Sequence, residues 1–234
     1  MKIGIMQPYF FPYIGYWQLM SAVDTYVVYD DVNYIKGGWI NRNRILVNGQ
    51  TAFINLPMLG ASPNKKINEV KVNNVPQIVD KNLRKIENSY KKAPYFDKVF
   101  PIIERIMKCG REDIGSYIFF SFEELSQYFN ITTNLVLSSS LNKDNNLRGQ
   151  DKVINICKLL GGAEYYNAIG GQELYSYDAF AQQDIKLSFL ETKHMEYQQF
   201  DNEFQANLSI IDVMMFNSRD KINDMLKNYE LISK

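Results

Sequence analysis

The sequence predicts an α/β fold, a mostly parallel sheet with helices on both faces, and two stretches carry that prediction. Residues 2–44 (KIGIMQPYFFPYIGYWQLMSAVDTYVVYDDVNYIKGGWINRNR) read as a short apolar strand, a turn dense in proline and glycine, an apolar helix and a second strand. Those are the parts of a βαβ unit, whose ligand edge lies at the carboxyl ends of its strands. From residue 134 onward, strand and helix patterns alternate again, which argues for further parallel strands with helices packed on them. The chain reads as one α/β domain, 1–234, with 57–130 a loop and mostly helical insertion packed on it.

In chain order, Lys2–Met6 is the buried first strand, and Pro8, Pro12 and Gly15 mark the turn after it. Trp17, Leu19, Met20 and Val23 have helical spacing, and 25–29 is a second strand that ends on Asp30-Asp31. Asn48-Gly49 between apolar runs is a hairpin signal, joining strands 44–47 and 51–56. Residues 57–66 are a loop by composition, and 67–72 alternate like an edge strand. Helices follow at Pro76–Tyr90, 100–107 and 113–128. Residues 134–138 form a strand, 139–147 a polar loop, and 150–160 a helix stopped by Gly161-Gly162. Glu164–Ala168 is a strand, 175–182 a helix, 185–190 a strand, and 193–200 an irregular segment. Residues 207–217 begin a last helix with Ser209 as N-cap and Asp212 in its first turn, and the tail 220–231 keeps helical spacing.

Composition narrows the function classes. Hydrophobic residues make up 46% and charged residues 22%, as in an ordinary core-forming protein. Lys+Arg and Asp+Glu are both 26, so no bulk basic field points to nucleic acid. The 16 Tyr and 14 Phe suit pockets for sugars and bases as well as cores. Cys109 and Cys157 lie too far apart for a disulfide framework and lack metal-ligand spacing, so they read as buried thiols of a cytoplasmic protein. No secretion signal is expected, because Gln7, Pro8 and Pro12 interrupt the first apolar run, and no membrane span, because no stretch of about 18 uninterrupted apolar residues occurs.

The candidate chemistry gathers at predicted strand ends. Gln7 and Asp30 both fall on the carboxyl edge of the opening unit. The chain has no GxGxxG and no GxxxxGK[ST], so the dinucleotide and P-loop readings lack their glycines. A strand, a turn with a proline and a polar side chain, a helix, and a strand ending in Asp is also how nucleotidyltransferase-like (HUP/Rossmann-like) folds begin. Their first turn usually presents histidines, where this chain has YIGY. Asp30 and Asp31 could hold Mg²⁺, bind sugar hydroxyls or act as a base, or simply be solvated at a strand end. Lys36, Arg42 and Arg44 with Trp39 suit a pyrophosphate clamp with a ring stacked on the indole, or a basic turn before a hairpin. Lys65-Lys66 offers a phosphate cradle or a solvated loop. His194, the only histidine, follows a predicted strand and is a base candidate or a structural residue. Gly170-Gly171 with Tyr175 could admit a ligand close to the backbone, or form a plain turn.

The stretch MQPYFFPYIGYWQLMSAVDTYVVYDDVNYIKGGWINRNRI resembles the opening motif of the WbqC-like protein family. The likeness continues in GGAEYYNAIGGQELY, around His194, and in NLSIIDVMMFN, and so covers nearly the whole chain. That family occurs among genes for bacterial O-antigen and related surface polysaccharides, and its members are often described as glycine transferases. The resemblance implies amide-forming transfer of an amino acid or similar acyl group to a nucleotide-linked amino sugar. ATP with Mg²⁺ is one candidate cofactor, and the partners are small molecules. The alternative is a non-catalytic sugar-nucleotide binding or scaffold protein of the same pathway. By position, the family's pattern falls on Gln7, Pro8, Tyr13, Gly15, Asp30, Asp31, Lys36, Trp39, Asn41, Arg42, Gly170, Gly171, His194, Ser209 and Asp212. Amide formation needs a base, which His194 or Asp30 could be, and a donor to the acyl oxygen, which Gln7 could be. Tyr13, Gly15, Asp31, Lys36, Trp39, Asn41, Arg42, Gly170, Gly171, Tyr175, Ser209 and Asp212 are candidates for substrate binding, with no metal ligand. Gln198 stands where the family usually has Pro, and Ser218 where it has Gly; both bear on backbone stiffness rather than on a reactive group.

Overall fold

The computed structural model describes residues 1–201 and 203–234. β1 (Lys2–Met6) leads through a turn into α1 (Ile14–Ser21), which returns to β2 (Thr25–Val28). Asn48 and Gly49, at φ 50° and 76°, close the hairpin of β3 (Arg42–Val47) and β4 (Gln50–Asn55), since a two-residue turn needs both in the left-handed region. A short pair, β5 (Met58–Leu59) and β6 (Lys71–Val72), precedes α2 (Pro76–Tyr90), α3 (Phe96–Met107) and α4 (Ile114–Phe129). The alternation then resumes with β7 (Asn134–Leu137), α5 (Gly149–Leu159), β8 (Glu164–Ala168), α6 (Tyr177–Ala181) and β9 (Lys186–Thr192). The chain closes with α7 (Ile210–Phe216), α8 (Arg219–Met225) and β10 (Tyr229–Ser233).

The main sheet has the order β10-β9-β8-β1-β2-β7. Every neighbouring pair is parallel except β10 with β9. The chain builds outward from β1 through β2 to β7, then crosses back to lay β8 on the other side of β1. Strand order therefore reverses at β1, and a crevice opens between β1 and β8 at the carboxyl ends.

Period-2 alternation gives the sheet two apolar faces. Ile3, Ile5, Val27, Tyr165, Leu187 and Phe189 pack with Val153, Ile156 and Cys157 of α5 and Phe180 of α6. Tyr26, Val28, Tyr166 and Leu190 face the larger core with α1 and α4. Gly4 lies on that second face, where a Cβ would come within 3.0 Å of the Tyr26 ring and 3.3 Å of Val23. Trp17 anchors α1: its ring meets Phe122 at 5.5 Å and Phe129 at 5.2 Å, both edge-on, and its Nε1 donates to the Pro12 carbonyl. No helix among the described residues is long and apolar enough to cross a membrane.

Three expected elements differ. Residues 67–72 form a 3₁₀ turn (Ile67–Glu69) and only the two-residue β6, because Glu69 Oε2 accepts the Lys66 N–H and bends the chain. The helix expected at 100–107 starts at Phe96 and runs through Pro101. The tail is helical only to Met225 and then adds β10 antiparallel to the edge of the sheet. Phe122 is buried against Tyr16 and Trp17. Phe122→Ala should lower unfolding free energy by about 3–5 kcal/mol in denaturant titrations, the usual scale for a deleted core aromatic.

Candidate functional site

The turn after β1 is held in a shape its own residues do not favour. Phe11 is a buried non-glycine residue at φ 43°. Asn43 Nδ2 donates to the carbonyls of Phe10 (3.1 Å) and Phe11 (2.8 Å), and Ser209 Oγ donates to Phe11 O at 2.8 Å. The Ile210 N–H reaches Pro12 O at 3.0 Å, and the Ser209 N–H reaches Arg44 O at 2.8 Å. Tyr16 donates to the Gln7 carbonyl at 2.9 Å. Gly15 has no room for a side chain, since a Cβ would sit 2.5 Å from both the Tyr13 ring and Thr192 Oγ1.

This turn lines a cleft of about 890 Å³ at the carboxyl ends of β1, β2 and β8. Met6, Gln7, Tyr29, Asn167 and Ala168 come from the strand ends, and Tyr9, Pro12, Tyr13 and Tyr16 from the turn and α1. Gly170, Gly171, Leu174 and Tyr175 come from the 3₁₀ turn after β8 and its exit, and Gly149 and Gln150 from the start of α5. Ile35, Trp39, Asn43, Arg44 and Asn207 also line it, with Val153 of α5. Burial raises the Tyr9, Tyr13 and Tyr175 phenols above their ordinary value, so they stay neutral hydrogen-bonding groups.

Arg44 is the one charged side chain among the described residues that line the cleft. Its guanidinium lies 5.4 Å from the Trp39 ring centroid, and Nη2 donates to Asn207 O at 3.3 Å. Arg44 Nε is buried without a hydrogen-bond partner among the described residues, an orphan donor that a ligand acceptor would satisfy. Beyond it, Asn167 Nδ2 donates to Tyr165 Oη at 2.6 Å, and Tyr165 donates to Tyr175 Oη at 3.3 Å. Asn167 Oδ1 accepts the Ala168 N–H, and a Cβ on Gly171 would press it at 3.0 Å.

A second, polar pocket of about 400 Å³ is lined by Asp31, Lys66, Asn68, Glu69, Ser139, Lys143 and Asn145. Asp31 pairs with Lys143 (2.8 Å) and Lys152 (3.4 Å). Burial raises its carboxyl, but the two lysines outweigh it and hold the carboxyl below the ordinary value.

Residues 7–224 match the WbqC-like protein family. The chain belongs to that family. It is similar to the uncharacterized protein Rv1507c of Mycobacterium tuberculosis (strain ATCC 25618 / H37Rv), 23% identical over 232 residues that cover 97% of each chain. No solved structure matches.

The WbqC-like pattern divides on the structure. Gln7, Tyr13, Trp39, Gly170 and Gly171 come together in the cleft with Tyr175, and Gly15 makes room for the Tyr13 ring. The others lie outside its lining. Asp30 is buried and accepts from Ser139 N (2.9 Å), Ser139 Oγ (2.6 Å) and Asn68 Nδ2 (3.2 Å), which ties three loops together. Lys36 is exposed, and Asn41 accepts from Tyr34 Oη. Arg42 turns back to the Gly37 and Gly38 carbonyls over the Phe53 ring. His194, with its side chain 81% exposed, pairs with Glu196. Ser209 caps α7, as its sequence position predicts. Asp212 is buried and accepts from Tyr197 (2.6 Å), Tyr90 (2.8 Å) and Gln199 (2.7 Å).

Several cleft residues carry no signature in the sequence, among them Tyr9, Tyr29, Asn43, Gln150, Asn167 and Asn207. Of the basic trio, Arg44 is the member that reaches the cleft. Burial raises Asp212's carboxyl despite its three hydrogen bonds, so the folded state holds this proton more tightly than the unfolded chain. Acidification through the raised pKa toward the ordinary carboxylate range therefore favours folding at this residue. In melts from about pH 7 to about pH 4, the wild type should gain on Asp212→Asn as pH falls, whereas a pH-independent difference would contradict the assignment.

Proposed function

We propose that the cleft binds a nucleotide-linked amino sugar, and that the protein transfers glycine or a similar acyl group to its amino group in the assembly of bacterial O-antigen or a related surface polysaccharide. The observation that carries this reading is the lining: faces of Trp39 and several tyrosines, amides of Gln7, Asn43, Gln150 and Asn167, and one guanidinium with an orphan N–H. Its volume of about 890 Å³ falls within the range of roughly 300–1,000 Å³ of small-molecule sites. Aromatic faces suit a base or a pyranose ring, and Arg44 suits a phosphate. The reversal of strand order at β1 supports a nucleotidyltransferase-like layout with the ligand across the switch point.

In the transfer, the amine nitrogen attacks the acyl carbon, a C–N bond forms, and the bond to the leaving group breaks as the amine proton departs. Gln7's side-chain amide is the donor to the acyl oxygen as that oxygen gathers charge. Asp30 is committed to Ser139 and Asn68, and His194 faces solvent, so the proposal routes the proton through neither. The amine enters as the free base, and its proton leaves with the leaving group or to water. ATP is a candidate activator of the acyl carboxylate. Two lysines on Asp31 make it a poor metal ligand, so Mg²⁺ would ride on the ATP phosphates. A second reading, a binding protein without turnover, is favoured by the lack of a carboxylate or imidazole among the described lining residues.

Incubation with glycine, ATP·Mg²⁺ and a UDP-linked 4-amino sugar, followed by mass spectrometry, separates the two. Transfer predicts a glycyl mass increment and release of AMP or ADP. Gln7→Ala should then lose about a hundredfold in turnover with sugar-nucleotide affinity nearly kept, the scale of one oxyanion donor. Saturable binding of the sugar nucleotide without product from any donor supports the binding protein.

A further inference from the structure

Two ammonium groups converge on a single carboxylate oxygen, Asp31 Oδ2. Lys143 Nζ lies 2.8 Å from it and Lys152 Nζ 3.4 Å, and the side chains of Asp31, Lys143 and Lys152 are 6%, 1% and 9% exposed. Lys143 also donates to the Ser138 carbonyl, so it is well partnered. Among the described residues, Lys152 has the long contact to Asp31 and the face of Tyr29, 5.6 Å from its ring centroid. Asp30 makes no ion pair with either lysine among the described residues; its carboxylate is turned to Ser139 and Asn68. Asp31 is the one carboxylate paired with these two lysines among the described residues, so the three groups together carry one surplus positive charge, and an unpaired buried charge is costly. Such a charge calls for an anion.

The location says which anion is within reach. Lys152 stands in the first turn of α5 between Gln150 and Val153, both of which line the cleft, and its ammonium rests on Tyr29, which lines it too. The N–H groups that open α5 add the positive end of the helix dipole to the same wall. We propose that Lys152, released from its long contact to Asp31, holds a diphosphate of the ligand between the start of α5 and Tyr29. The inference rests on the reading of the cleft as a nucleotide-sugar site and supplies its specificity for the charged part of the ligand.

Calorimetric titration of UDP, inorganic pyrophosphate and uridine into the wild type, Lys152→Met and Asp31→Asn tests it, with melting curves run beside. Lys152→Met should bind UDP and pyrophosphate about tenfold or more weakly while uridine affinity is unchanged, the scale of a lost hydrogen bond to a charged group. Asp31→Asn adds a unit of positive charge to the cluster and should bind both anions as tightly or more tightly. Equal UDP affinity in the wild type and a folded Lys152→Met overturns the anchor and leaves the nucleotide reading standing. Pyrophosphate binding that depends on Lys152, with no added affinity for UDP, supports the anchor and overturns the nucleotide reading. If Lys152→Met fails to fold, weaker anion binding by Asp31→Asn overturns the proposal on its own.

Discussion

The cleft depends on a turn that the rest of the chain holds in place. Phe11 sits in the left-handed region without being glycine, a conformation that persists only where its surroundings over-determine it. The restraints on it come from Asn43, 32 residues away, and Ser209, 198 residues away. Adjacent residues on a strand point to opposite sides, so β3 does two things at once. Asn43 holds the turn at the cleft's edge, while Arg44 brings the guanidinium to its lining. The cleft therefore exists only once the hairpin and α7 have docked, and damage to either should reach its lining.

What seats α7 is a buried polar chain rather than an ion pair. The Leu46 N–H donates to Tyr90 Oη, Tyr90 donates to Asp212, and Tyr197 and Gln199 complete the carboxylate's partners. Neutral donors satisfy a buried anion without a counter-charge, at the cost of the desolvation that raises Asp212's pKa. The chain links β3, α2, the 193–200 segment and α7. It places Ser209 where its hydroxyl reaches Phe11.

How much of this was legible in the sequence follows from how local each signal is. β1, α1 and β2, the Asn48-Gly49 hairpin and the later strand–helix alternation were readable, because each depends on spacing within a short window. β10 was not: Tyr229–Ser233 is a half-exposed edge strand whose side chains follow no helical or buried pattern. Gln7 and Gly170-Gly171, legible from their strand ends, and Trp39, legible from its place among Lys36, Arg42 and Arg44, all line the cleft. Asp30 and Asp212 are also legible as candidates, but the hydrogen bonds they accept come from residues 109 and 122 positions away, which no local pattern shows. The lysines on Asp31 were invisible for the same reason, lying 112 and 121 residues beyond it. Arg42 and Arg44 share a strand face, so periodicity could not choose between them; the carbonyls of Gly37 and Gly38 capture Arg42 and leave Arg44 to the cleft.

The central claim is that the ligand lies in the cleft at the β1–β8 switch point, and the chain's two tryptophans offer a direct test. Trp17 is fully buried, whereas Trp39 is 38% exposed and lines the cleft. In a Trp17→Phe variant, Trp39 is the sole indole, and titration with a UDP-linked sugar should change its emission saturably, with a midpoint equal to the calorimetric dissociation constant. Calorimetric binding with Trp39 emission unchanged would place the ligand elsewhere and contradict the account.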